Sequence, residues 1–379
     1  LSLRDSLIGH TARVTSVIFS PDGARILTVG DEPSLRIWSV ATGDLIANIP
    51  AASRVRFADY NGDLIAAAVW NGTIGLYDGR DGRPIDTLYG HTSERLFAVT
   101  IGPNGRYVAS GGNDSTIILW DRSSGEAVRE IRGHTGFISV VRFNPDGDLL
   151  ASADYAGGVR ISRVNDGGLE HELLAHGDRV RTLDFSVDGA RLLSSSFDAT
   201  ARIYDVAAGQ EIASITTHER RLRAASFSPD GRLVVTASED GSAGIHSGLD
   251  GRPLRPLFGH RDRLFTARFS PDGQSVVSAS YDSTARVWDV GDLAGVGHSE
   301  TGMEQMRVVS EADRVFVTPA EEAGRFSLLV FDVLGREIER QENLIGTAAL
   351  STAALQPGTY LCSVRSVSGF AASFLLSVD

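Results

Sequence analysis

GHRDRLFTARFSPDGQSVVSASYDSTARVWD, residues 259–289, decides the fold. Within it Leu264–Phe269, Ser275–Ala279 and Ala285–Asp289 are alternating, β-rich runs, separated by the turn formers Pro271-Asp272-Gly273 and Tyr281-Asp282-Ser283. Strict alternation in runs this short predicts strands with one face turned to a core.

The same pattern recurs along the chain. Aromatic-plus-polar pairs stand at Trp38-Ser39, Tyr77-Asp78, Trp120-Asp121, Ser162-Arg163, Tyr204-Asp205, His246-Ser247 and Trp288-Asp289, at spacings of 39, 43, 42, 42, 42 and 42 residues. Gly-His falls at Gly9-His10, Gly90-His91, Gly133-His134 and Gly259-His260, with weakened forms at His176 and His218. Pro-Asp-Gly falls at Pro21-Asp22-Gly23, Pro145-Asp146-Gly147, Pro229-Asp230-Gly231 and Pro271-Asp272-Gly273. Three markers in one phase define seven units.

Period, Gly-His and Trp-Asp together resemble the WD-repeat β-propeller family, over about residues 3–290. That resemblance implies seven blades, each a four-stranded sheet, around a central channel. Each unit's fourth strand lies before the next Gly-His, as in Ala127–Arg132. Arg4–Ile8 has no unit before it, and the unit ending at Trp288 lacks its own fourth strand. The family pattern therefore implies that the N-terminal strand completes the last blade and closes the circle, removing sheet edges.

The histidines and aspartates follow the same period. Six of the nine His (His10, His91, His134, His176, His218, His260) share one repeat position. Asp114, Asp198, Asp240 and Asp282 stand six residues before the Trp-like position, and Thr28, Ser110, Ser152, Ser194, Thr236 and Ser278 stand ten before it. In the family such residues form a hydrogen-bonded tetrad in each blade. His91, Ser110, Asp114 and Trp120 make one complete set, and His260, Ser278, Asp282 and Trp288 another. The mixture has the composition of a protease triad, but a catalytic set occurs once per active site, not once per blade. Unit 2 has lost His, Ser and Trp, and unit 4 has Ala156 and Ser162 at tetrad positions, so these blades are expected to be the least rigid.

Composition narrows the function classes. The 379 residues include 41 Gly, 12 Pro, 42% hydrophobic and 22% charged residues, a globular profile rather than a collagenous or disordered one. No apolar run approaches the roughly 18 residues of a membrane-spanning helix. The chain begins at Leu1, as a processed or trimmed one would, so the lack of a leader says nothing about compartment. The single Cys362 excludes an internal disulfide and a Cys-rich zinc site, and its alternating context suits a buried strand thiol. A net charge of −12 argues against nucleic acid bound through bulk charge, and no basic tail compensates. All 36 basic residues are Arg, as genomic codon bias would produce.

In WD-repeat proteins partner contacts resemble three positions: three and five residues after the His, and the residue before the tetrad Asp. The first reads Arg13, Phe137, Arg179, Arg221 and Arg263. The second reads Thr15, Ser139, Arg181, Arg223 and Phe265, and the third Asp31, Trp70, Asn113, Tyr155, Phe197, Glu239 and Tyr281. Unit 3 has one extra residue after its His, which leaves Arg95 and Phe97 loosely placed. Arg54 is the loosest match, in unit 2. Arg and aromatic residues are the types enriched in binding hot spots. The densest group, Arg179, Arg181, Arg221 and Arg223 of units 5 and 6, suits an acidic peptide or polyanion. Pairing with the neighbouring Asp178, Glu219 and Asp262 is the alternative use of those charges.

The repeat stops at Val290, and 291–307 reads as a linker. In 308–379 the runs Arg325–Asp332, Gly358–Ser366 and Ala371–Val378 predict strands of a small β-sandwich. The succession Val330-Phe331-Asp332-Val333-Leu334-Gly335-Arg336-Glu337, Leu350-Ser351, Leu355-Gln356-Pro357-Gly358-Thr359-Tyr360-Leu361 resembles the C-terminal sorting domain of the type IX secretion system, which directs Bacteroidetes-type proteins across the outer membrane. The Pro-Asn-Pro opening is reduced to Thr318-Pro319-Ala320, and a generic Ig-like or fibronectin-like sandwich is the alternative. The expected protein is thus all-β: a propeller at 1–290 and a sandwich at 308–379. It would be a non-catalytic scaffold, secreted or surface-held, that needs no cofactor or metal. It would bind a protein or peptide on its Arg/aromatic face and meet the secretion machinery through its tail. The rivals are an intracellular (cytoplasmic) regulatory scaffold and a propeller for a small anionic or carbohydrate ligand. A buried charged cluster in the channel, outside the tetrads, would point instead to an enzyme.

Overall fold

The computed structural model describes residues 7, 9–12, 14–282, 284–290 and 293, and seven strands between 307 and 378. Their regular elements are β-strands, and they build an all-β, seven-bladed propeller. No helix among the described residues is long and apolar enough to cross a membrane. Two compact units, Leu1–Ser214 and Ile215–Asp379, divide the chain and are taken in turn.

The first unit holds the blades at 14–50, 55–88, 96–131, 138–173 and 180–215, each an antiparallel four-stranded sheet in sequence order. The turn between the first two strands explains the Pro-Asp-Gly marker. In blade 1 Ser20 Oγ donates to Asp22 Oδ1 at 2.5 Å, the Ala24 N–H donates to the same oxygen at 3.0 Å, and Gly23 takes φ +68. Only glycine adopts that left-handed geometry without cost. Blade 5 makes the same turn from Ser186-Val187-Asp188-Gly189, a form that the Pro-Asp-Gly marker does not find.

Alternation along each strand sends neighbouring side chains to opposite sheet faces. In the second strand of blade 2, Leu64–Val69, Leu64, Ala66 and Ala68 pack on Leu96, Val99, Val108 and Trp120 of blade 3. Ile65, Ala67 and Val69 pack on Leu27, Val29 and Ile37 of blade 1. All six are buried, so the strand is core on both sides. Each such Leu or Ile contributes on the order of 1.5–3 kcal/mol. A polar link adds to this: Asp59 Oδ2 accepts the Thr100 hydroxyl at 3.0 Å and the Ile101 N–H at 2.8 Å, joining blades 2 and 3.

The second unit holds the blade at 222–257 and the strands Leu264–Phe269, Ser275–Ser280 and Ala285–Asp289 of blade 7. Leu233, Val235, Ile245 and Leu257 pack on Leu264, Ala267 and Val276. The N-terminal closing strand expected at Arg4–Ile8 falls on residues 4–6 and 8, outside those described, as does the linker apart from Leu293. Beyond it the strands Arg307–Glu311, Arg314–Thr318 and Ala348–Ser351 form one antiparallel sheet. Phe326–Phe331, Glu337–Leu344, Gly358–Ser366 and Ala371–Val378 form another, in which Cys362 pairs with Val330 and Phe374.

Among the described residues two non-glycines carry positive φ, Ser115 at 58° and Ala199 at 69°, each following a tetrad Asp. The corresponding residues Gly72 and Gly241 are glycine. A left-handed alanine is strained by roughly 1–2 kcal/mol, and glycine gives part of that back as chain entropy. Ala199→Gly is expected to stabilise the protein by about 0.5–1 kcal/mol in urea denaturation. An unchanged or lower midpoint contradicts the assignment of strain.

Candidate functional site

The site begins at a backbone irregularity shared by all seven blades. Each first strand slips register against the second at one place, between Val14 and Ser16, Val55 and Phe57, Leu96 and Ala98, Ile138 and Val140, Val180 and Thr182, Leu222 and Ala224, and Leu264 and Thr266. The residue left over is Thr15, Arg56, Phe97, Ser139, Arg181, Arg223 or Phe265. A bulge of this kind re-aims a side chain and ends regular pairing. The period contains no mark of it.

A second regularity fixes the other two positions. The N–H of the residue before the tetrad Asp position donates to the carbonyl of the residue two before the bulge: Trp70 to Arg54, Asn113 to Arg95, Tyr155 to Phe137, Phe197 to Arg179, Glu239 to Arg221 and Tyr281 to Arg263, all at 2.9–3.0 Å. Arg54 and Arg95, loosely placed by spacing alone, are thereby in register with Arg179 and Arg263. Phe97 is the bulge residue of blade 3. Arg13 lies outside the described residues.

In the first unit these side chains interlock. Tyr155 meets Phe97 at 5.5 Å and the edge of Phe137 at 5.8 Å, and the Arg179 guanidinium lies 3.7 Å from its ring centre and 5.5 Å from Phe197. Arg181 lies 5.4 Å from the Phe57 ring of blade 2. Arg54 and Arg95 lie 5.7 and 5.3 Å from Trp70. Phe137 is 45% exposed, whereas Phe97 and Ser139 are buried. In the second unit Phe265 stacks on Tyr281 at 4.0 Å, with Arg223 at 5.5 and Arg263 at 5.2 Å from these rings. Arg223 is ion-paired with Glu239 at 2.5 Å, and Arg263 with Asp262 at 3.7 Å. So local acids do neutralise some of the predicted arginines. Asp262 was a sequence neighbour; Glu239 lies 16 residues from its partner.

The tetrads hold this rim in place. In blade 3 Trp120 Nε1–H donates to Ser110 Oγ at 2.8 Å, the Ser110 hydroxyl faces His91 Nε2 at 2.7 Å, and His91 Nδ1 faces Asp114 Oδ2 at 2.8 Å. The order of donors makes His91 the Nδ1–H tautomer. Blade 7 repeats it with Trp288, Ser278, His260 and Asp282. Two tetrads differ from the sequence reading. In blade 1 Glu32 takes the acid's place beside His10, and also accepts Arg36 Nη1–H at 2.5 Å. In blade 4 the position of Ala156 is not the acid position. Asp154, two residues earlier, receives His134 Nδ1 at 2.9 Å and the N–H groups of Ala156 and Gly158. Blade 4 therefore lacks only the Trp, where Ser162 stands, and the placing of Ala156 at its acid position is corrected. Burial works to raise the Asp240 carboxyl, but the His218 bond and charge, with Ser242, outweigh it and hold it at about 2.

Blade 6 puts His246 where Trp would stand. Thr236 Oγ1 lies 2.8 Å from His218 Nε2 and 3.1 Å from His246 Nε2. Because Thr236 gives its proton to His218, His246 must donate from Nε2. Its Nδ1 is then a bare acceptor, buried without a hydrogen-bond partner. Burial, and secondarily the charge of His218, push His246 down to about 3.

Outside the tetrads, Arg142 Nη1 approaches Asp59 Oδ1 at 3.9 Å. The carboxylate is already spent on Thr100 and Ile101, so the pair links blades and leaves no free base.

The family model described as "WD domain, G-beta repeat" matches residues 1–39, 82–121, 125–161, 167–205, 209–247 and 251–289. Blade 2, which has lost His, Ser and Trp, falls in the gap. The serine-threonine kinase receptor-associated protein of Mus musculus is 26% identical over 155 residues, 40% of this chain and 43% of that one. Subunit 5 of transcription initiation factor TFIID from Caenorhabditis elegans is 29% identical over 156 residues, 40% and 24%. Nuclear distribution protein PAC1 of Arthroderma benhamiae is 29% identical over 163 residues, 39% and 35%. The matched stretch spans less than half the length of each of these relatives.

Two measurements check the tetrads. Asp154→Ala strands the Nδ1–H of His134 and is expected to cost about 1–3 kcal/mol, as Asp114→Ala does; a neutral Asp154→Ala refutes its role. For His246 the folded pKa lies below the ordinary 6.5, so only the unfolded chain binds the proton between those values. Stability is then full above about 6.5 and falls with acidification by about 1.4 kcal/mol per pH unit, down to the folded value. Urea midpoints at pH 7 and 5 are expected to differ less in His246→Gln than in the parent.

Proposed function

Because the chain belongs to the WD-repeat family of β-propellers, we propose that it is a non-catalytic protein-interaction scaffold that captures a partner on the Arg/aromatic end of its blades. The observation that carries this reading is the shared register. Bulge and backbone bond bring three variable positions of each blade to one end, and these hold Trp70, Phe137, Tyr155, Phe197, Phe265 and Tyr281 with Arg54, Arg95, Arg179, Arg181, Arg221, Arg223 and Arg263. Such residues bury large area at modest entropic cost. The recurrent polar groups are committed to tetrads, which argues against a catalytic use. An acidic partner fits the excess of guanidinium groups.

The proposal extends to the whole chain as a propeller at 1–290, a linker at 291–307 and a sorting-type β-sandwich at 308–379, which would make the protein secreted or surface-held. The motif succession from Val330 to Leu361 supports it, together with the pairing of Phe326–Phe331, Gly358–Ser366 and Ala371–Val378. Two of the relatives, a transcription initiation factor subunit and a nuclear distribution protein, favour an intracellular scaffold instead. Fractionating cells that make the full chain or a version ending at 307 separates the two. Export of the full chain alone supports sorting, and retention of both overturns it.

The binding end is tested by photo-cross-linking, since a sequence without Lys offers amine-reactive reagents no side-chain target. A photoreactive phenylalanine at Phe137, 45% exposed at the rim, is expected to trap partners that the same group at Leu169, 48% exposed on an outer strand, does not. Equal yields at both positions, or trapping at 169 alone, overturn the reading.

A further inference from the structure

We propose that Trp70, with Arg54 and Arg95 beside it, forms a carboxylate clamp for an acidic peptide segment, seated on blades 2 and 3. This rests on the scaffold reading and names the partner's chemistry and the contact point.

The clamp is built by the backbone. Trp70 and Asn113 are tied to Arg54 and Arg95 by the N–H to C=O bonds at 2.9 and 3.0 Å. The loop after Trp70 is set by Asn71, whose Oδ1 accepts the Thr73 N–H at 3.2 Å and hydroxyl at 2.7 Å. Gly72 has φ +84, and a Cβ there would stand 2.5 Å from the Ser93 carbonyl. The loop of blade 2 therefore lies directly against the segment that carries Arg95. In blade 2 the tetrad is gone, yet this end of the blade is firmly specified.

Charge points to the ligand. Arg54 and Arg95 are exposed, and among the described residues neither guanidinium has an ion pair or a side-chain hydrogen bond, although Glu94 adjoins Arg95. Arg223 and Arg263, by contrast, are met by Glu239 and Asp262. A guanidinium resting on an indole uses its face and keeps its N–H edge for an acceptor. Carboxylates fit that edge in bidentate fashion. Against a net charge of −12 the attraction is local rather than diffuse.

Asn113 distinguishes a peptide from a bare anion. Its Oδ1 is buried with no hydrogen-bond partner, beside Arg95 in register. A buried acceptor requires an N–H or O–H donor. A carboxylate ion has none to give at neutral pH, whereas a peptide carries a backbone N–H next to every acidic side chain.

The probe is a fluorescein-labelled oligoglutamate peptide, followed by anisotropy with the full chain at low salt, with oligoglutamine as the uncharged control. Oligoglutamate is expected to bind and oligoglutamine not to. Arg54→Ala with Arg95→Ala is expected to weaken binding at least about tenfold, and Asn113→Leu to weaken it severalfold. Arg80→Ala, an exposed arginine paired with Asp63, is expected to leave it unchanged. Melting curves of each variant show that the fold is retained. Unchanged affinity in the double variant overturns the clamp. So does a phosphoserine peptide that competes better than oligoglutamate and is indifferent to Asn113→Leu. If oligoglutamate fails to bind while Phe137 still traps partners, the clamp falls and the scaffold reading stands; if Phe137 traps none, the scaffold reading falls by its own test.

Discussion

One buried hydroxyl in each of six blades constrains everything above it. Thr28, Ser110, Ser152, Ser194, Thr236 and Ser278 sit on second strands, none more than 4% exposed. No water reaches them, so each must find its partners within the protein. Accepting from the neighbouring Trp in blades 1, 3 and 7, the hydroxyl gives its proton to His Nε2, which fixes the tautomer and sends Nδ1–H to a carboxylate. That carboxylate in turn gathers a backbone N–H just after the His: Thr11, Thr92, Gly136, Gly177, Glu219 or Arg261. The loop so anchored leads straight into the residue two before the bulge. Rim geometry is thus inherited from a hydroxyl deep in the sheet.

That chain of bonds explains why the period was legible and parts of the tetrads were not. Repeat length, strand positions and the two complete sets at His91 and His260 follow from residue types at constant spacing. Glu32 keeps the spacing but changes the residue type, and Asp154 breaks the spacing; both deliver an oxygen to the same Nδ1–H, Glu32 through a longer side chain and Asp154 from two residues earlier. Physical chemistry selects where the oxygen arrives, while a spacing rule selects which residue stands where. The same distinction applies to blade 5, where Tyr204 keeps only a 3.4 Å contact with Ser194 and spends its hydroxyl proton on the Leu174 carbonyl.

The rim was legible as a set of positions and not as a set of charges. Spacing found Arg223 but not that Glu239, at the neighbouring rim position of the same blade, cancels it. It weighted blades 5 and 6 by counting arginines, whereas the exposed and locally unpaired ones described here are Arg54 and Arg95. Their register depends on a bulge that carries no sequence signature, with one residue too many in blade 3 and no His to count from in blade 2.

Blade 2 shows how the two layers of the structure separate. It has lost the His, Ser and Trp that elsewhere fasten the rim, so by the logic of the tetrads its upper loop should be loose. The loop is instead held by Asn71 and Thr73 from within and by the Gly72 contact with Ser93 from blade 3. Its second and third strands, Leu64–Val69 and Ile74–Asp78, are buried almost throughout. The tetrad is therefore one solution to anchoring the rim rather than a requirement of the fold. A blade freed from it still carries Trp70 and Arg54 at its rim, beside Arg95 of blade 3, where the tetrad is complete. Where an acid stands at the rim it neutralises the nearest guanidinium, as Glu239 does for Arg223. Trp70 and Asn113 at that position carry no charge, and Arg54 and Arg95 keep theirs for a ligand.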